Sequence, residues 1–347
     1  MTQSLNDFLI RILNAHSPSG SEENVISLFV DFITPYISEI RIDALGNCIA
    51  SKKGTGNRKI MLMAHADEIG LMINYIDDRG FLYFKCIGGL DCNLLPSRQV
   101  SILGENGTVT GVIGKKPIHL MGQDNLNKSL QPEDLWIDIG VKDKAEAESL
   151  VNIGDVVTLL SNTNILANDY IISKSTDDRV GIAILAGVAQ NIKQLSLGVD
   201  VFLVASVQEE IGARGAQVAT NAILPDEGIA IDVTHATDYP TMSPIKDGDI
   251  SLGGGVVIPF GPNMNKCINI SLMDTAKTNG IPFQKEAIAG PTPTDARMIQ
   301  IAGAGIRTGL LSIPCRYMHT PNEIISVHDV DSAVSLLTEY LKNASAT

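Results

Sequence analysis

Four apolar runs constrain this chain more than any other feature: KIMLMA (59–64), VDVFLVASV (199–207), GIAIDV (228–233) and GIRTGLLSI (305–313). Each is nearly continuous rather than alternating. A strand with one wet face alternates polar and apolar residues, whereas a continuous run is satisfied only where both faces are buried, as in a sheet covered by helices. Helical patterns lie between the runs, at 179–192, beyond the last of them, at 329–344, and at the start, where Leu5, Phe8, Leu9, Ile12 and Leu13 recur at helical spacing. A second early helix is expected after SPSGSEEN, with Ser19 and Glu22 spaced as a capping box. Residues 1–70 and 164–347 therefore read as two parts of one α/β domain.

The segment 71–163 reads differently. Turn signals (DDRG, LGENG, IGKKP, NIGD) separate short β-rich runs such as FLYFKCI, RQVSIL and GTVTGVIG. A small β-rich domain inserted into the α/β domain accounts for this, and a chain of 347 residues is long enough for two cores.

A formal charge of −13 argues against a phosphate-binding surface, so nucleic acid is not expected as a partner. The five cysteines are scattered without close CxxC spacing, which fits a reducing compartment better than a disulfide framework. The N-terminal pattern is an amphipathic helix rather than a signal peptide, and no apolar run is long enough to span a membrane. A cytoplasmic protein is expected.

Acids and imidazoles fall just beyond the apolar runs. His65 follows 59–64, where the carboxyl ends of parallel strands open onto ligand crevices, and Asp67 lies two residues on, on the same side of an extended backbone. The pair suits a metal ligand with its orienting carboxylate, or a plain surface pair. Asp177 and Asp178 stand directly before a helix, where a carboxylate either caps the helix or bridges two cations. Glu209 and Glu210 follow the run 199–207. Adjacent acids repel unless a cation compensates them, and one can ligate while the other serves as general base. Asp232 ends a buried run, where an unpaired carboxylate is costly, while His235 and Asp238 read as structural. His319 alone would mean little. Together, two imidazoles, three carboxylates and a spare glutamate suit a pair of borderline divalent ions: zinc first, cobalt or manganese next. A two-carboxylate glycosidase would not need the histidines.

Nine motifs, in order along the chain, resemble the glutamyl and deblocking aminopeptidases of the tetrahedral (TET) type: SPSG (17–20), DALGN (43–47), HADEIG (65–70), GKKPIHLM (114–121), STDDRVG (175–181), QEEIGARGA (208–216), AIDVTHATDYP (230–240), PTDA (293–296) and RYMHTPNE (316–323). The resemblance implies a zinc-peptidase-like fold, with a mixed central sheet flanked by helices and an inserted PDZ-like dimerisation domain. It implies two metal ions bridged by Asp177, with His65 and Asp232 on one and Glu210 and His319 on the other. Glu209 would be the base, Asp67 would orient His65, and the Asp177–Asp178 bond would be cis. Peptides would be the substrates, and dimers would assemble into a tetrahedral dodecamer. Arg297 departs from the small residues usual after the TDA motif; facing the specificity pocket, it would favour an acidic first residue, whereas a solvent-facing or intersubunit arginine would not.

Overall fold

The computed structural model describes residues 1–105, 107–120 and 129–345; Asn106 of the LGENG turn and Met121 of GKKPIHLM lie outside them. The first strands are β1 (Glu39–Ile42), β2 (Cys48–Lys52) and β3 (Lys59–His65). Six follow in the middle of the chain: β4 (Gly70–Ile76), β5 (Leu82–Ile87), β6 (Gln99–Gly104), β7 (Gly107–Lys115), β8 (Leu135–Asp138) and β9 (Val156–Leu159). Then come β10 (Asn164–Ile165), β11 (Tyr170–Ser173), β12 (Asp200–Ser206), β13 (Glu227–His235), β14 (Val256–Phe260), β15 (Phe283–Ala287), β16 (Arg307–Cys315) and β17 (Glu323–Ser326).

The main sheet has eight strands in the order β1-β2-β12-β3-β13-β16-β14-β15. Its four central strands are the four apolar runs, and they are parallel. Both faces are covered, so β3 is buried from Ile60 to His65 and β16 from Thr308 to Cys315. Antiparallel pairing at β2–β12 and β14–β16 makes the sheet mixed. Helix Thr176–Ile192 is buried along nearly its whole length, with helices Gln3–Leu13 and Val327–Ala344 packed on it. Gly187 permits this approach, since a Cβ there would lie 2.8 Å from Val334 and 2.9 Å from Leu5.

The middle of the chain closes into an antiparallel barrel in the order β4-β5-β8-β7-β6-β9. It has its own core, including Leu71, Ile73, Val100, Ile102 and Ile137. Closure removes the open strand edges that so short a sheet would otherwise expose. The barrel leaves the main domain just after His65 and returns through β10 and β11, and β11 pairs with both β10 and β17 ahead of Asp177. Among the described residues no helix is long and apolar enough to cross a membrane.

The expected capping box at the second helix is not formed. Glu22 occupies the cap position without a side-chain capping bond, and Ser19 Oγ instead donates to Asp67. Glu22 Oε1 accepts from the Gly20 and Gln208 amides. Both side chains serve distant loops because those loops carry buried groups with stronger need of a partner than an exposed helix start has.

Candidate active site

The carboxyl ends of the parallel strands bring the acids and imidazoles together. In the β3–β12 register His65 lies opposite Ser206, so Glu209 and Glu210 emerge beside it; Asp232 lies opposite Ser312 in the next pair. His65 Nε2 is 3.0 Å from Asp177 Oδ1 and 3.9 Å from Asp232 Oδ1. His319 Nε2 is 3.2 Å from Asp177 Oδ2 and 3.5 Å from Glu210 Oε1. Asp177 thus turns one oxygen to each imidazole.

The other ring nitrogens fix the tautomers. His319 Nδ1 donates to the Gly89 carbonyl at 2.8 Å, and His65 Nδ1 donates to the Asp67 carbonyl at 3.2 Å. A carbonyl only accepts, so both Nε2 atoms are left to face the carboxylates, the arrangement of metal-ligating imidazoles. The Asp67 carboxylate lies 3.4 Å from His65 Nδ1 and accepts from the Glu209 and Glu210 amides at 2.9 and 3.0 Å. It ties the paired-glutamate loop to the histidine.

Several groups hold this frame. Glu323 accepts from the amides of Asp177 and His319 at 3.1 and 2.8 Å, joining two site residues through their backbones. The Asp177–Asp178 bond is cis. Asp178 accepts from the Gly181 amide three residues on, so it caps the helix while Asp177 faces the crevice. Any side chain at Gly181 would start 2.3 Å from that carboxylate. Ser175, Gln208 and His319 have left-handed backbone, φ 56°, 58° and 60°, which costs a non-glycine residue about 1–2 kcal/mol each and is typical of functional loops. Beneath them, buried Glu68 pairs with Lys174 at 2.5 Å and Arg179 at 3.3 Å. Burial alone would raise its pKa, but the two cations hold it down at about 2.

The site is electrostatically frustrated without cations. Burial pushes Glu209 up to about 10 and Glu210 up to about 8, with neighbouring acids adding to both. Asp232 is raised well above the carboxylate range by burial and by Asp178 and Asp177. Asp177 goes the other way: burial would raise it, but both imidazoles outweigh that. Hydrogen bonding to Asp177 raises His319 to about 10. Glu209 Oε1 is buried with no hydrogen-bond partner among the described residues. His65, Asp177 and Glu210 bring ligand atoms within 4.8 Å of one another, as do His65, Asp178 and Asp232. Oxygen and imidazole donors so crowded fit divalent cations. A cavity of about 600 Å³ opens on them, and Thr234, Glu286, Ile288 and Arg297 line its far side.

Six of the seven sequence-derived positions (His65, Asp177, Glu209, Glu210, Asp232 and His319) line this cavity, and Asp67 lies fully buried beside His65. Three further residues escaped sequence reasoning as individuals: Glu323, Gly89 and Asp295, whose Oδ2 accepts from Ser206 Oγ at 2.5 Å. Asp295 and Glu323 lie within the PTDA and RYMHTPNE motifs, which is the signal that marks them.

The fold and this donor set define a peptidase of the metal-dependent α/β class. The chain belongs to the M42 glutamyl aminopeptidase family, whose model matches residues 46–336. It is 37% identical to a putative aminopeptidase of Acetivibrio thermocellus over 97% of this chain and 98% of that protein. With the lysyl aminopeptidase of Pyrococcus furiosus it shares 36% identity, over 97% and 96% of the two chains. The solved TET1 peptidase of Pyrococcus horikoshii, which can assemble into a tetrahedron or a large octahedral shell, superposes with a TM-score of 0.87 at 31% identity, covering 97% of this chain and 99% of that one. The protein is accordingly an aminopeptidase.

Proposed function

We propose that this chain removes N-terminal residues from peptides at a dinuclear centre held by His65, Asp177, Glu210, Asp232 and His319, with Glu209 as general base. The observation that carries the reading is Asp177, whose two oxygens face two separate imidazoles at 3.0 and 3.2 Å. His65 and Asp232 would hold one ion, Glu210 and His319 the other, and Asp177 both. Zinc suits this donor set, as do cobalt and manganese. When bound, the ions supply an acidified water and a Lewis acid for the scissile carbonyl. Glu209 receives the water's proton on its buried carboxylate and returns it to the leaving amine. Asp67 keeps Glu209 and Glu210 in place through their amides and orients His65. The acid-lined end of the cavity favours a protonated α-amine, which restricts cleavage to the first residue.

The pocket beyond the metals sets the preference. Arg297 Nε is buried there with no hydrogen-bond partner among the described residues, which favours an acidic first side chain. Glu286 supports a second reading, preference for a basic residue: it lines the same cavity, where Thr234 Oγ1 donates to it at 2.9 Å, and one relative is a lysyl aminopeptidase. On Glu-, Leu- and Lys-anilides, Glu is expected to lead. Arg297→Ala is then expected to lower kcat/KM for Glu-anilide by about 10-fold or more, the worth of a charged hydrogen bond, and to spare Leu-anilide. A wild-type ranking led by Lys, or one unchanged by the substitution, excludes Arg297 as the selector.

The inserted segment 71–163 we read as a dimerisation module, its dimers building a tetrahedral dodecamer; the TET1 peptidase, which can assemble into a tetrahedron, supports this reading. Met72, Tyr75 and Val112, exposed apolar residues on the barrel, support that role. The five free cysteines support a reducing, cytoplasmic location. Chelation tests the core of the proposal. Prolonged exposure to a strong chelator is expected to abolish aminopeptidase activity, and zinc, cobalt or manganese to restore it; activity persisting in protein shown to be metal-free would exclude the mechanism.

A further inference from the structure

Two thiols flank the turn that touches His319. Cys86 is the last residue but one of β5 and is half-buried; Cys92 begins the next helical turn and is buried in the barrel core. Their Sγ atoms are 4.0 Å apart. Between them lies Ile87-Gly88-Gly89-Leu90-Asp91. The Gly89 carbonyl accepts from His319 Nδ1 at 2.8 Å. The turn has no slack against the site: a Cβ at Gly88 would meet Ile69 at 2.8 Å and Glu210 Oε2 at 3.3 Å, and one at Gly89 would meet His319 Nδ1 at 3.1 Å.

We propose that Cys86 and Cys92 are an oxidisable dithiol whose disulfide form shifts the Gly88–Gly89 turn, displaces the carbonyl that orients His319 and lowers peptidase activity reversibly. A disulfide needs the sulfurs about 2 Å closer than they stand, and five residues close the ring, so the movement is passed to the turn. The oxidant is a small-molecule disulfide. The more accessible Cys86 thiol loses its proton to solvent and attacks one sulfur of the oxidant; an S–S bond breaks, a mixed disulfide forms and the first small thiol leaves with a proton. Cys92 then loses its proton and attacks the Cys86 sulfur, releasing the second small thiol. Two protein thiols are oxidised and one external disulfide is reduced to two thiols. Burial, with Cys92 beside it, pushes the Cys86 thiol up to about 12, which makes the first attack slow and leaves the pair reduced in a reducing compartment. Gly89 is a positioning residue acting through His319, and the two thiols bear on it only once they are joined. The effect on activity rests on the place proposed for His319; formation of the disulfide does not.

The test uses the metal-loaded full chain carrying Cys267→Ser, which removes the exposed thiol. After incubation with oxidised glutathione, peptide mapping without reductant is expected to show residues 86 and 92 cross-linked. Activity is expected to fall about 10–100-fold, the usual cost of losing a partner that orients a metal-binding histidine, and to return with dithiothreitol. A chromogenic chelator is expected to strip the ions faster from the oxidised protein, a readout independent of turnover. Cys86→Ser, and separately Cys92→Ala, should keep basal activity and lose both responses. The proposal is overturned if no 86–92 cross-link forms, if it forms with chelation rate and activity unchanged, or if the single variants respond as the parent does.

Discussion

Glu209→Gln is expected to lower kcat by about 10²–10⁴-fold, the range for removing a positioned general base, while both metal ions stay bound. The substitution is nearly isosteric. The Glu209 amide keeps its bond to Asp67, so the loop stays tethered. No assigned metal ligand is touched, and Glu210 keeps its own amide bond to Asp67. What disappears is a carboxylate whose Oε1 is buried without a partner among the described residues and which burial gives an unusually high affinity for a proton. An amide accepts no proton from water at this strength. KM should change little, since the glutamate would act on the water rather than on the bound peptide. Steady-state kinetics on a preferred anilide, run beside elemental analysis of the dialysed variant, checks both halves. Near-normal kcat with two ions bound would remove Glu209 from the mechanism; loss of metal would reassign it as a ligand.

The α/β scaffold was legible in the sequence because continuous apolar runs have few other uses, and the runs at 59–64, 199–207, 228–233 and 305–313 are the four central strands. The site was legible for a related reason. Each candidate residue stands just beyond or near the end of a run that must be a strand or, for Asp177, at a helix start, so element ends pointed to it before any contact was known. Closure of the inserted segment into a barrel was not legible, since short β-rich runs with turns suit an open sheet equally well. Ser19 and Glu22 mislead for a physical reason: capping-box spacing is a local pattern, and their partners Asp67 and Gln208 lie 48 and 186 residues away. The same blindness hides Gly89, which meets His319 across 230 residues. Asp177 and Asp178 present the opposite case. Capping and metal bridging look like rival explanations of one sequence feature, yet adjacent residues divide them, Asp178 accepting from Gly181 while Asp177 turns into the crevice.

That division makes Asp177→Asn the most consequential single substitution. Both oxygens of Asp177 are engaged, one toward each imidazole, and in the proposed centre they serve two ions at once. An asparagine keeps one oxygen and the side chain's volume, but it removes the negative charge and puts an NH₂ group where the second oxygen stood. A cation on that side then meets donors instead of an acceptor, and the one opposite loses the charge that balances it. Two-ion occupancy is therefore expected to fail as a unit. Loss of at least about 4 kcal/mol of transition-state stabilisation, the scale of metal-ion catalysis, corresponds to about a 10³-fold fall in kcat/KM. His319→Ala makes the informative contrast. Among the described residues His319 Nε2 approaches the carboxylates Asp177 Oδ2 and Glu210 Oε1, on one side of the centre, so its removal should cost one ion and leave the other on His65 and Asp232. Metal content per chain after dialysis is expected to fall from two to none in Asp177→Asn and to one in His319→Ala, with circular dichroism confirming that both variants are folded. Equal metal loss in the two variants would show that Asp177 does not bridge, and two ions retained in Asp177→Asn would place the centre elsewhere in the crevice.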